Sequence, residues 1–200
     1  MKKTISLIGI ISLSIFVFVT CDNPRSETAV AQPSTEKYGG FESQVKWGEH
    51  LVTVSACHDC HSPKDYSKFA PGGTGLDSAH LLAGYIGGAL PDVNKKDAQS
   101  KGLAVTTDLT SWVGPWGVTY AANLTSDSTG IGLWKEEQFI YAIRNGKYNG
   151  MASDRDILPP MPWVMYRSMT DDELKAIFAY LKSTKPVKNV VPRPVPPVGK

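Results

Sequence analysis

Leu174, Ile177, Phe178 and Leu181 recur at helical spacing behind Thr170-Asp171-Asp172-Glu173. A Thr followed three residues later by Glu is a capping box, so the pattern predicts a helix from Thr170 to about Lys182 with one apolar stripe facing a core. Phe139, Ala142 and Ile143 mark a second helix over Trp134 to Asn145. Its charges suit the helix dipole, with Glu136 and Glu137 near the start and Arg144 in the last turn, and Gly146 stands as a stop. Phe41, Val45, Gly48 and Val52 line a third predicted helix, running on into Cys57. Gly in mid-helix costs about 1 kcal/mol against Ala, so its presence at 48 points to close approach by another helix.

The two ends and the middle break this periodicity. Ile5 to Val19 is a continuous apolar run behind Lys2 and Lys3. At about 15 residues it is short of the roughly 20 that span a bilayer, and it reads as an export signal over 1–20. Cys21 follows at once, where lipoproteins carry the cysteine that becomes lipidated, although Thr20 stands where that motif usually has Gly, Ala or Ser. Residues 21–40 are rich in Ser, Thr, Pro, Glu and Gln and read as a flexible linker. Nine glycines fall in 71–118, a stretch predicted to be irregular. Gly114-Pro115-Trp116-Gly117 within it fits either a short β-hairpin or a loop turn. Five prolines after Lys185 force an extended tail over 186–200. One domain over 41–185 remains.

The chemistry sits at Cys57-His58-Asp59-Cys60-His61. C-x-x-C-H is the attachment pattern of a c-type haem. Two thiols on one turn of backbone add to the two porphyrin vinyl groups, and the following His lies under the iron as its proximal ligand. A structural zinc site would need a second pair of ligands, and the remaining candidates, Cys21, His50 and His80, supply no such pair. The cysteine count then closes without a disulfide: Cys57 and Cys60 go to haem c and Cys21 to lipid.

An iron held by one His needs a sixth ligand or an open site. Leu158-Pro159-Pro160-Met161-Pro162-Trp163 is the best candidate stretch, because flanking prolines stiffen the loop that presents Met161. Met151, Met165 and Met169 are rivals, and His80 offers a bis-His alternative. His50 reads as a solvated helix residue, and His58 faces away from the iron if His61 faces toward it.

These stretches carry a family resemblance. The haem motif preceded by Gly48-Glu49-His50-Leu51-Val52, Ala122-Asn123-Leu124-Thr125 with Gly130-Ile131-Gly132, Trp134 to Gly146, and Pro159 to Ser183 together resemble a class I c-type cytochrome. The likeness is closer still to bacterial cytochrome c proteins associated with periplasmic dehydrogenases. It implies an all-α fold whose N- and C-terminal helices cross with Gly48 near Tyr180. It also implies His61 and Met161 as axial ligands and single-electron transfer rather than substrate turnover. Two features depart from the family pattern: 71–118 is long for a small class I domain, and Lys135 stands where relatives often cap the helix with Ser or Thr. The Asn123-Leu124-Thr125 sequon is read as local turn chemistry rather than a glycosylation site.

Composition bounds the rest. The chain has 200 residues, 42% of them hydrophobic and 20% charged, as an ordinary globular protein has. Of 21 basic and 19 acidic residues, Lys2 and Lys3 belong to the leader, which leaves the exported chain balanced and argues against nucleic acid as a partner. The expected function is a periplasmic electron carrier, anchored to the membrane by lipid, between a dehydrogenase donor and an oxidase or cytochrome acceptor. The competing reading is a haem enzyme or gas-binding sensor with an open or labile sixth site, for which no nucleophile–base pair is visible in the sequence.

Overall fold

The computed structural model describes residues 37–68 and 75–199. The predicted export signal, Cys21 and most of the predicted linker lie outside the described residues. The described part is mostly helical, with one two-stranded antiparallel sheet. Among the described residues no helix is long and apolar enough to cross a membrane.

Helix α1 covers Gln44–Val54 and starts later than the periodicity predicts, because Ser43 caps it and accepts a hydrogen bond from the Lys46 N–H at 3.2 Å. Phe41 lies before the cap and stacks on His50, and Val45 is exposed. The face that is buried carries Gly48, Leu51 and Val52. Nor does α1 run unbroken into the haem motif. It ends at Val54, Ala56 takes the left-handed conformation at φ 56°, and Cys57–His61 forms a separate turn, α2. The reversal re-aims the motif relative to α1.

Helix α3, Lys95–Ser100, lies in the Gly-rich segment where no helix is predicted. Its sequence has no apolar stripe. It forms because Asn94 caps it, accepting from the Asp97 N–H at 3.1 Å, and because Ala98 packs under the following hairpin. Strands β1, Ser111–Gly114, and β2, Gly117–Tyr120, pair around Pro115-Trp116, which decides for the hairpin against the loop. Val113 and Val118 are fully buried and, with Ala98, make a second small core. The segment is therefore a folded subassembly rather than a featureless cover.

Helix α4 covers Glu136–Asn145, two residues shorter than predicted at its start. With Lys135 in place of Ser or Thr, the N-terminal bonding falls to Gln138, whose Oε1 accepts from the Lys135 N–H. After the short helix α5, Trp163–Tyr166, comes α6, Asp171–Ser183, with the capping box as predicted: Thr170 Oγ1 accepts from the Glu173 N–H and the Glu173 carboxylate accepts from the Thr170 N–H.

The main core is built from α1, α4 and α6, with Val52, Phe139, Leu174 and Leu181 at its centre and Leu82 and Ile131 filling from the loops. Helices α1 and α6 touch backbone to backbone at Gly48, where a Cβ would lie 1.9 Å from the Ala176 carbonyl oxygen and 2.8 Å from Tyr180 Cβ. The tail past Lys185 lies bonded along this body. Val195 exchanges both backbone hydrogen bonds with Val118 at 2.8 and 2.9 Å, adding a bridge to the hairpin's edge.

Candidate haem site

Cys57, Cys60 and His61 fall on the single turn α2. The C-terminal carbonyls of so short a helix need partners, and Lys64 supplies them. Its ammonium donates to the carbonyls of Asp59 at 2.7 Å and Ser62 at 2.8 Å. Burial holds the Lys64 ammonium below the usual lysine range. Ser62 is wholly buried. Its Oγ accepts from the Leu82 N–H at 2.9 Å and shares a hydrogen bond with His58 Nδ1 at 2.9 Å. His58 is thus tied into the structure at Ser62, while the His61 ring is committed elsewhere.

His61 is 8% exposed. Its Nδ1–H donates to the Ala122 carbonyl at 2.8 Å, and its own carbonyl accepts from the Gly84 N–H at 2.8 Å. With Nδ1 engaged, Nε2 carries the free lone pair of the neutral ring. Burial pushes the imidazole below its ordinary pKa, partly offset by the Ala122 bond, so the ring is neutral at physiological pH. The grip comes from two segments bonded to each other. The Tyr85 N–H donates to Ala121 O at 3.0 Å and the Leu124 N–H to Leu82 O at 2.8 Å. Gly84 is required there: at φ +73°, a Cβ would meet the Ala121 carbonyl oxygen at 2.4 Å.

Burial pushes the Cys57 thiol up to about 12 and raises Cys60 in the same sense. Thiols so placed resist forming the thiolates that a zinc ion demands, whereas a thioether carries no charge to bury. Among the described residues no three His, Cys, Asp or Glu side chains gather as a metal-binding group. The donor set therefore fits a c-type haem: two uncharged sulfurs on one turn and a neutral imidazole with Nε2 available.

Met161 is half-buried, in a loop fixed at both ends. On one side Thr119 Oγ1 donates to the Pro159 carbonyl at 2.9 Å and accepts from Trp116 Nε1 at 3.1 Å. On the other, Tyr166 Oη donates to the Ser55 carbonyl at 2.8 Å, two residues before Cys57. Of its rivals, Met169 packs against the main core, and Met165 and Met151 are 75% and 52% exposed. His80 sits at a surface turn with Nδ1 bonded to Asp77 at 2.5 Å, and His50 is exposed on α1.

Asn123 is buried, so it is closed to glycosylation. Its Oδ1 accepts from the Thr125 N–H and hydroxyl, the turn chemistry expected of that triplet. Sequence reasoning missed the Ala122 carbonyl, Gly84 and Lys64. A backbone acceptor has no side-chain signature, and Gly84 was one glycine among nine.

No family model matches the chain. Curated proteins similar to it include a component of nicotinate dehydrogenase from Pseudomonas putida, 35% identical over 48% of this chain and 7% of that protein. The cytochrome c subunit of gluconate 2-dehydrogenase from Pantoea cypripedii is 29% identical over 70% of this chain and 23% of its own length. The cytochrome subunit of fructose dehydrogenase from Gluconobacter japonicus is 31% identical over 59% and 23%. The chain spans less than a quarter of the length of each. It resembles dehydrogenase-associated cytochrome c subunits, the likeness expected from its motifs.

Proposed function

We propose that this protein is a single-electron carrier with one covalently attached haem c, held by thioethers at Cys57 and Cys60 and ligated by His61 Nε2 and the Met161 sulfur. The observation that carries the proposal is the His61 arrangement: a buried ring in the motif's last position, its Nδ1–H fixed on Ala122 O at 2.8 Å. When bound, the haem supplies an iron that alternates between ferric and ferrous. The protein's part is to hold still. His61 is gripped at ring and backbone, α2 is capped by Lys64, and the Met161 loop is pinned at Pro159 and Tyr166. His61 and Met161 would together fill the iron's two protein-ligand positions and leave none for substrate, which is why the proposal is a carrier and not an enzyme. The likeness to dehydrogenase cytochrome subunits supports a dehydrogenase as donor and a respiratory oxidase or cytochrome as acceptor, met through small transient interfaces. The leader and Cys21 place it, in this proposal, on the periplasmic side of a bacterial membrane, lipid-anchored.

The test is the visible spectrum of the purified protein, oxidised and reduced, beside a Met161→Ala variant. The expected result is a low-spin spectrum with a weak sulfur-to-iron charge-transfer band that the variant loses. A low-spin spectrum unchanged in the variant moves the sixth ligand elsewhere. A high-spin spectrum that shifts with carbon monoxide overturns the carrier reading.

A further inference from the structure

The proline-rich tail reaches the segments that grip His61, and one of its side chains bonds there directly. Asn189 Nδ2 donates to Ala83 O at 2.7 Å and to Tyr85 O at 3.0 Å. These carbonyls flank Gly84, whose N–H holds the His61 carbonyl at 2.8 Å. The Asn189 backbone N–H donates to Thr129 Oγ1 at 2.9 Å. From the other segment, Asn123 Nδ2 donates to the Val187 carbonyl at 2.9 Å, and Asn123 adjoins Ala122, the acceptor of His61 Nδ1–H. The tail is thus bonded to both segments that grip His61, and Asn189 bonds one of them on either side of its contact residue.

We infer that Asn189 is a positioning residue for the proximal ligand, acting through the two segments to set the strength of the His61–Ala122 hydrogen bond. The inference rests on the haem reading above. Its chemical consequence follows from ligand basicity. The more firmly Nδ1–H is held, the more electron-rich the ring, and the more the ferric state is favoured. Loosening the brace lowers that donation and raises the reduction potential.

The experiment is redox titration of the full-length holoprotein carrying Asn189→Leu, which keeps the shape of the side chain and removes both donors. The control is Val195→Pro, which removes the tail's N–H bond to Val118 at 2.9 Å but leaves Asn189 intact. Expected is a wild-type-like low-spin spectrum in both, a higher midpoint potential in Asn189→Leu, and no potential change in Val195→Pro. An unchanged potential, an equal shift in the control, or a fall, which greater exposure of the haem to water would cause, overturns the inference. A wild-type protein without a low-spin haem spectrum would instead sink the haem reading on which it rests. If Asn189→Leu does not fold, amide exchange of the wild-type holoprotein decides. The Val187, Asn189 and Gly84 N–H groups should open together as one unit. Tail amides exchanging far ahead of Gly84 would mean that the tail does not brace the site.

Discussion

A methyl group at residue 48 would have to occupy the space 1.9 Å from the Ala176 carbonyl oxygen. In an exposed helix Gly→Ala gains about 1 kcal/mol. Here the added carbon meets backbone, which cannot rotate away, and overpacking of that kind costs about 3 kcal/mol. Gly48→Ala is therefore expected to lose roughly 2 kcal/mol, read from urea unfolding followed by far-ultraviolet circular dichroism. Asp171, the first residue of α6, offers a test of pH dependence. The Arg144 guanidinium bonded to it at 2.7 Å holds its carboxyl below the usual range. A carboxylate depressed in the folded state stabilises the fold above its unfolded pKa, and that contribution is lost as pH falls through the folded value. Asp171→Asn should thus melt lower than wild type at pH 7. The gap should close as pH falls below about 4, with thermal melts across that range as the check. At this scale the sequence was legible where a side chain carries the signal. Gly48 declares itself by its cost, and the spacing of Cys57, Cys60 and His61 puts them on one turn, as α2 does. The Ala122 carbonyl was hidden because any residue would present one.

Elements with one apolar face and strong caps were legible almost to the residue. Helix α6 has Thr170 and Glu173 to fix its start, and the observed helix keeps both bonds. Helix α1 starts later than its periodicity predicts because Phe41 happens to continue the period, while the Ser43 cap decides where the helix begins. Helix α3 had no stripe to read, since it buries only Ala98 and its order comes from the hairpin above it. That hairpin in turn holds the Met161 loop through Thr119. Thr119→Val removes the donor to Pro159 O and strands Trp116 Nε1. If Met161 is the sixth ligand, a loss of about 1 kcal/mol in holding its loop makes the sulfur easier to displace. Imidazole added to the ferric protein should then bind about fivefold more tightly to the variant than to wild type. An unchanged affinity in the visible titration would mean that the hairpin does not govern that loop.

Across the whole molecule the parts are joined by segments that lack periodicity. The main core unites α1, α4 and α6, which lie far apart in sequence, and the hairpin has its own small core. What spans from one to the other is the tail, whose prolines showed only that it is extended. Its partners were invisible in the sequence because they are side chains and carbonyls scattered over 83–129. Proline suits such a strap: it loses little chain entropy on ordering and leaves the few remaining N–H groups to do the bonding. Those groups are used. Val187 donates to Thr125 Oγ1 at 3.2 Å, Asn189 to Thr129 Oγ1 at 2.9 Å, Val195 to Val118 O at 2.9 Å and Val198 to Gln99 Oε1 at 2.9 Å. Deleting 186–200 would also leave Asn123 Nδ2 without its Val187 acceptor and Ala83 O and Tyr85 O without Asn189. These bonds are lost together, so the truncated protein should unfold at a lower urea concentration than the full-length protein. A midpoint within experimental error of the full-length protein would show that the tail lies along the surface without supporting it.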